Sequence, residues 1–152
     1  MLHPVIGETW QHVVLRTLFN LKVSMLIKKD GNCLFRAMAH HLYGNQSLHI
    51  EVRRSAIEWL EHNPGLLKFA AQGEGHFSAS AYLANMAKPG EWGDEIMLMA
   101  ISQAYHASIM VFFGQDASTS GFNSTVYPHD APGPHYGLMH ISKMQHYELL
   151  YP

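Results

Sequence analysis

The hydrophobic pattern changes period at about residue 108, and this constrains the fold more than any other feature of the chain. Upstream, Leu48, Val52, Ala56, Trp59 and Leu60 recur at spacings of three and four, and so do Met97, Ala100, Ile101, Ala104 and Tyr105. Each set lies on one face of an amphipathic helix. Downstream, residues 108–113 (SIMVFF) read as a buried strand, and residues 124–127, 137–142 and 146–151 as further short strands. Helices first and strands later predict an α+β domain, with helices packed on a small, largely antiparallel sheet.

The punctuation refines this. Residues 8–20 read as a helix with Trp10, Val13, Val14 and Leu18 near one face, followed by an extended piece over 23–27 and a turn at Asp30-Gly31. From Cys33 to Tyr43 the chain is apolar on nearly all sides and ends at Gly44-Asn45, which predicts a buried, central helix. A second helix is expected over 47–62, stopped by Asn63-Pro64-Gly65, with residues 66–78 irregular. A short helix over 79–87 ends at Lys88-Pro89-Gly90, and another begins near Asp94. The three prolines of PHDAPGPHY require a loop.

A length of 152 residues fits one domain over 1–152, with residues 1–22 forming an N-terminal helix that leads into the core. A net charge of −2 offers no basic field for nucleic acid, while 12 histidines make the charge sensitive to pH between roughly 5 and 8. The single cysteine, Cys33, excludes an intrachain disulfide and fits a reducing compartment. The chain shows no signal-peptide pattern and no run of roughly 18 apolar residues that could span a membrane.

Cys33 follows the turn directly, in the first turn of the expected central helix. Free N–H groups and the positive dipole end favour an anion there, so the thiol pKa is expected to fall. The same amides suit an oxyanion, and Gly31 suits a close approach of backbone to substrate. Taken alone, the segment fits a buried, inert thiol better than a nucleophile, since free cysteine is among the most buried residue types. A thiol nucleophile needs a base. On the last strand His146 and Glu148 share one face, so the carboxylate can set the imidazole tautomer and favour its protonated form. With so many histidines, a packed or surface role for His146 stays open at this point.

Three blocks resemble the OTU (ovarian tumour) family of cysteine proteases, a deubiquitinase class. They are Asp30-Gly31-Asn32-Cys33-Leu34-Phe35-Arg36-Ala37, continuing to His41-Leu42-Tyr43-Gly44; Gly90-Glu91-Trp92-Gly93-Asp94-Glu95 with the helix and strand after it; and His146-Tyr147 near the end. In order and spacing they cover roughly residues 20–152. The resemblance implies a papain-like OTU fold with the sheet packed between helices, and thiol-dependent hydrolysis of isopeptide bonds at the C-terminus of ubiquitin or a ubiquitin-like modifier. It implies Cys33 as nucleophile, His146 as general base and acid, and Asp30 as the acidic member of the nucleophile loop. Gly31 and Asn32 belong to the oxyanion loop, and Trp92 lies beside the channel for the ubiquitin tail.

The resemblance breaks at Glu148, where the family usually carries Asp or Asn, so Glu148 and Asp30 both stand as supports for His146. His135-Tyr136 is a second His-Tyr pair, discounted because Pro132-Gly133-Pro134 places it in a loop. The alternative function is a catalytically weak or inactive OTU-fold module that binds ubiquitin. A metal protein lacks any HExxH pattern, so no metal or other cofactor is expected. The expected partner is ubiquitin or polyubiquitin, with neither nucleic acid nor membrane. The expected setting is a monomer in the cytoplasm, either a cellular enzyme or a microbial or viral effector in host cytosol.

Overall fold

The computed structural model describes residues 22–24, 27–73, 78–114, 123–128, 135–141 and 145–151. The helix expected over 8–20 lies outside these residues. The elements in chain order are β1 (Lys22–Ser24), α1 (Cys33–Tyr43), a 3-10 turn (Gln46–Leu48), α2 (His49–Glu61), α3 (Pro64–Gly73), α4 (Ala79–Met86), α5 (Glu95–Ala104), β2 (Ile109–Gly114), β3 (Asn123–Tyr127), β4 (Tyr136–Ile141) and β5 (His146–Tyr151).

The central helix is α1, as its composition demands. Cys33, Leu34, Phe35, Ala37, Met38 and Ala39 are all buried. It stops at Gly44, which adopts the left-handed conformation at φ 70° and donates its N–H to His40 O at 2.8 Å. Helix α2 buries Val52, Ala56, Ile57 and Leu60 and packs against α1 and α5. Helix α5 starts at an Asp94 cap, whose Oδ1 accepts the Met97 N–H at 2.9 Å.

The segment expected to be irregular over 66–78 is instead helical as far as Gly73. Asn63-Pro64-Gly65 ends α2 and also begins α3. Proline is compatible with the first helical turn because its missing N–H is unbonded there anyway. The Asn63 carbonyl accepts the Leu67 N–H at 3.2 Å, and Leu67, Ala70 and Ala71 are buried at helical spacing.

The sheet has the order β1-β5-β4-β2-β3. Only β2 and β4 pair in parallel; the other three pairings are antiparallel. Alternation gives the sheet two buried faces. Leu138, Tyr147, Leu149, Val111 and Ile109 join α1, α2 and α5 in the main core. Phe112, Met139 and Leu150 form a smaller cluster on the other face. Helix α1 packs directly on β5, which carries the start of the central helix to the strand holding His146. Among the described residues no helix is long and apolar enough to cross a membrane.

Candidate active site

Cys33 opens α1 and is 1% exposed. Strand β1 pairs with β5 as far back as Leu149. Two residues earlier, the backbone N–H of Tyr147 donates to Cys33 Sγ at 3.4 Å. The thiol in turn donates to the Gln145 carbonyl at 3.7 Å. Gln145 has φ +50°, in the left-handed region, and this bend begins β5. Cys33 is thus held by the two residues that flank His146 in sequence.

His146 is 1% exposed, and its two ring nitrogens are buried without a hydrogen-bond partner. Its Nε2 lies 3.9 Å from Glu148 Oε1, with both side chains buried. This is the same-face arrangement expected from strand alternation. Burial pushes the His146 pKa below its ordinary value, partly countered by the Glu148 carboxylate. His146 therefore rests neutral at pH 7 and can accept a proton.

Asp30 does not reach His146 by a hydrogen bond. Its carboxylate grips Arg36, with Nη2 at 3.0 Å and Nε at 3.3 Å from both oxygens. It also accepts the Asn32 N–H at 3.0 Å. Burial raises the Asp30 pKa, but Arg36 and the Asn32 amide outweigh it and hold the carboxyl below its ordinary value. Asp30 organises the loop that presents Cys33.

One expectation needs correction. The Cys33 pKa does not fall: burial pushes the thiol up, and the amides of Tyr147, Leu34 and Cys33 counter this only in part. The dipole argument omitted desolvation, which is larger here. The Asn32 amide, expected among the oxyanion donors, donates at rest to Asp30, and the Cys33 amide donates to the Asp30 carbonyl at 3.1 Å.

A cleft of about 710 Å³ is lined by Trp92, Phe69, Ile96 and His140 among others, and by Gln145 and Tyr147, the two residues that bond to Cys33 Sγ. Trp92 is 38% exposed, so it serves the cleft wall and is not a core filler. His140 escaped the sequence reading. Its ring stacks on Tyr147 with centroids 4.5 Å apart and meets Phe113 edge-on. His135, the rival base, bonds to Ser108 Oγ through Nδ1.

Arg53 also escaped the sequence reading. It is 4% exposed, lies over the Phe35 ring at 3.9 Å, and donates to Asn32 Oδ1 at 2.9 Å. Burial lowers its pKa to about 10, which leaves it charged at neutral pH. The available signal was its spacing: Arg53 falls on the apolar stripe with Ala56, Ile57 and Leu60. Among the described residues no three His, Cys, Asp or Glu side chains converge as a metal site.

Comparison with known proteins agrees with this geometry. Residues 28–147 match the sequence family described as OTU-like cysteine protease. The chain is 32% identical over 149 residues to OTU domain-containing protein 4 of Mus musculus, covering 98% of this chain and 12% of that protein. It is 40% identical over 82 residues to OVARIAN TUMOR DOMAIN-containing deubiquitinating enzyme 10 of Arabidopsis thaliana, covering 54% of this chain and 22% of that protein. The chain thus spans only a small part of these relatives. The solved OTUD1 OTU domain superposes with TM-score 0.79 at 24% identity, covering 94% of this chain and 93% of that one. An OTU domain solved in complex with ubiquitin gives TM-score 0.67 at 22% identity, covering 86% and 69%. These likenesses establish the fold.

Proposed function

Because the chain belongs to the family of OTU-like cysteine proteases, we propose that it is a deubiquitinase, hydrolysing isopeptide bonds at the C-terminus of ubiquitin or a ubiquitin-like modifier. The observation that carries the proposal is the contact of Cys33 Sγ with the N–H of Tyr147, which follows His146 in sequence and lines the same cleft as Trp92.

The chemistry follows from these residues. His146, neutral at rest, takes the proton of Cys33 when substrate closes the cleft. The thiolate attacks the carbonyl of the terminal glycine, and amides of the loop at Gly31 and Asn32 stabilise the oxyanion once the Asn32 N–H leaves Asp30. The imidazolium then protonates the departing lysine amine, and His146 activates the water that hydrolyses the thioester. Glu148 favours the imidazolium. Trp92 lines the path of the flexible tail.

A second reading, an OTU-fold module that binds ubiquitin without cleaving it, draws on the resting contacts: the thiol faces a carbonyl and the His146 ring has no hydrogen-bond partner. A ubiquitin-propargylamide probe separates the two. Covalent labelling of Cys33 supports the hydrolase, whereas tight binding of ubiquitin with no labelling supports the module. For a labelled enzyme, a panel of the eight diubiquitin linkages then defines specificity.

A further inference from the structure

Arg53 is a buried cation whose hydrogen-bond acceptors are all neutral. Nη1 donates to Met86 O at 2.9 Å, and Nη2 reaches Glu91 O at 2.9 Å, Asn32 Oδ1 at 2.9 Å and Gly31 O at 3.3 Å. Burying a guanidinium is costly without compensation. Here its fixed fork of donors satisfies backbone from three separate segments, a task that lysine's single ammonium cannot copy.

Those segments are the end of α4, the 88–94 loop and the loop before Cys33. The last two meet at one point. Asn32 Oδ1 also accepts the Gly90 N–H at 2.7 Å. Gly31 lies so close to Gly90 that a Cβ on it would sit 1.5 Å from the Gly90 oxygen. In sequence, Cys33 follows Asn32 on one of these loops and Trp92 follows Glu91 on the other.

We propose that Arg53 is a positioning residue for the reaction: it clamps the loop bearing Gly31 and Asn32 to the loop bearing Trp92. The clamp sets the spacing between the loop before Cys33 and the Trp92 wall of the cleft, and the direction of the loop amides. The proposal rests on the hydrolase reading for its consequence in turnover, and on the contacts alone for the clamp.

The test compares the whole chain with Arg53→Met and Arg53→Lys. Three quantities are read: alkylation of Cys33 by iodoacetamide, labelling by ubiquitin-propargylamide, and hydrogen exchange at the Gly90 amide. In folded Arg53→Met the alkylation and the Gly90 exchange should speed up, because Asn32 Oδ1, which holds the Gly90 N–H, loses its anchor and the loop before Cys33 loosens. Probe labelling should slow by about tenfold or more, because the reacting groups lose their register. Arg53→Lys should recover only part of the labelling.

Unfolding would also expose the thiol, so amide exchange within the buried helix α5 is the control that separates positioning from general destabilisation: in the folded variants it should keep its wild-type rate. Alkylation and Gly90 exchange that rise only in step with exchange across α5 would overturn the proposal, and so would wild-type rates in a folded variant. If Arg53→Met does not fold, Asn32→Ala carries the test. It removes the bridging Oδ1 and leaves the guanidinium its other acceptors, and the same opposed changes are expected. If the wild-type chain fails to react with the ubiquitin probe, the hydrolase reading fails. Alkylation and Gly90 exchange still decide the clamp: faster in the folded variants supports it, and unchanged overturns it.

Discussion

Tyr147 donates its backbone N–H to Cys33 Sγ at 3.4 Å, across 114 positions of sequence. The bond fixes the first turn of α1 against β5. It also supplies a donor that favours the thiolate over the thiol. Since Tyr147 follows His146 directly, it sets where the base stands.

Cys33→Ala should abolish turnover and probe labelling, because the chain holds no other cysteine. It also leaves the Tyr147 N–H without its acceptor, at a cost of about 1–3 kcal/mol. Cys33→Ser keeps an acceptor and should melt above the alanine variant while remaining inactive. Turnover near wild type in Cys33→Ala would remove the thiol mechanism.

His146→Ala should reduce kcat/KM by about 10²–10⁴-fold, the range of general acid–base catalysis. His135→Ala should leave turnover nearly unchanged. It loses the bond to Ser108, worth about 1 kcal/mol of stability. Steady-state kinetics on one diubiquitin, with melting temperatures, checks both. The reverse ranking would assign the base to His135.

Asp30 and Glu148 should fail differently. Asp30→Ala frees Arg36 and the Asn32 amide together, so the loop before Cys33 loses its order, and turnover should fall further than in Glu148→Ala. Glu148→Gln removes the carboxylate that raises the His146 pKa. The imidazolium weakens, and Cys33 should require higher pH to be alkylated by iodoacetamide. Full activity in both folded alanine variants would exclude both carboxylates from the machinery.

The parts of this site legible in sequence are those set by local pattern. The apolar circumference of α1 and its glycine stop gave the central helix, and strand alternation put His146 and Glu148 on one face. What escaped depends on tertiary burial. Asn63-Pro64-Gly65 reads as an end, and only packing of Leu67, Ala70 and Ala71 turns it into the start of α3. Arg53 reads as a solvated charge on a helix until three carbonyls and Asn32 surround it. The upward shift of the Cys33 thiol has the same origin, since the amides of a helix start are visible in sequence and its burial is not.

Acid should destabilise the fold from about pH 6.5 downward. Burial holds His41, His49, His140 and His146 below their ordinary 6.5. In the window below 6.5 the unfolded chain binds more protons than the folded one. Stability is therefore fully present above that pH and is lost as pH falls through each folded-state value. Asp30, held below 3.8, acts only at lower pH. His140→Phe keeps a ring against Tyr147 without a titrating group, so the melting temperature should fall less between pH 7.5 and 5.5. An unchanged slope would remove His140 from the set.

Gly31→Ala and Gly44→Ala separate close approach from backbone conformation. At Gly44, φ is +70° and nothing lies within 4 Å of an added Cβ. Alanine there should cost about 1 kcal/mol from the left-handed conformation alone, with turnover intact. At Gly31 the added Cβ would lie 1.5 Å from Gly90 O and 2.3 Å from Gly90 C. Both atoms are backbone, so no rotamer change relieves the overlap and the two loops must part. The stability cost should be at least about 1–3 kcal/mol. Turnover should fall about 10²-fold in the molecules that remain folded, because the thiol and the loop amides shift together. Measuring kcat/KM beside the melting temperature distinguishes the two sites. Wild-type turnover in folded Gly31→Ala would show that the junction with Gly90 is dispensable for the reaction.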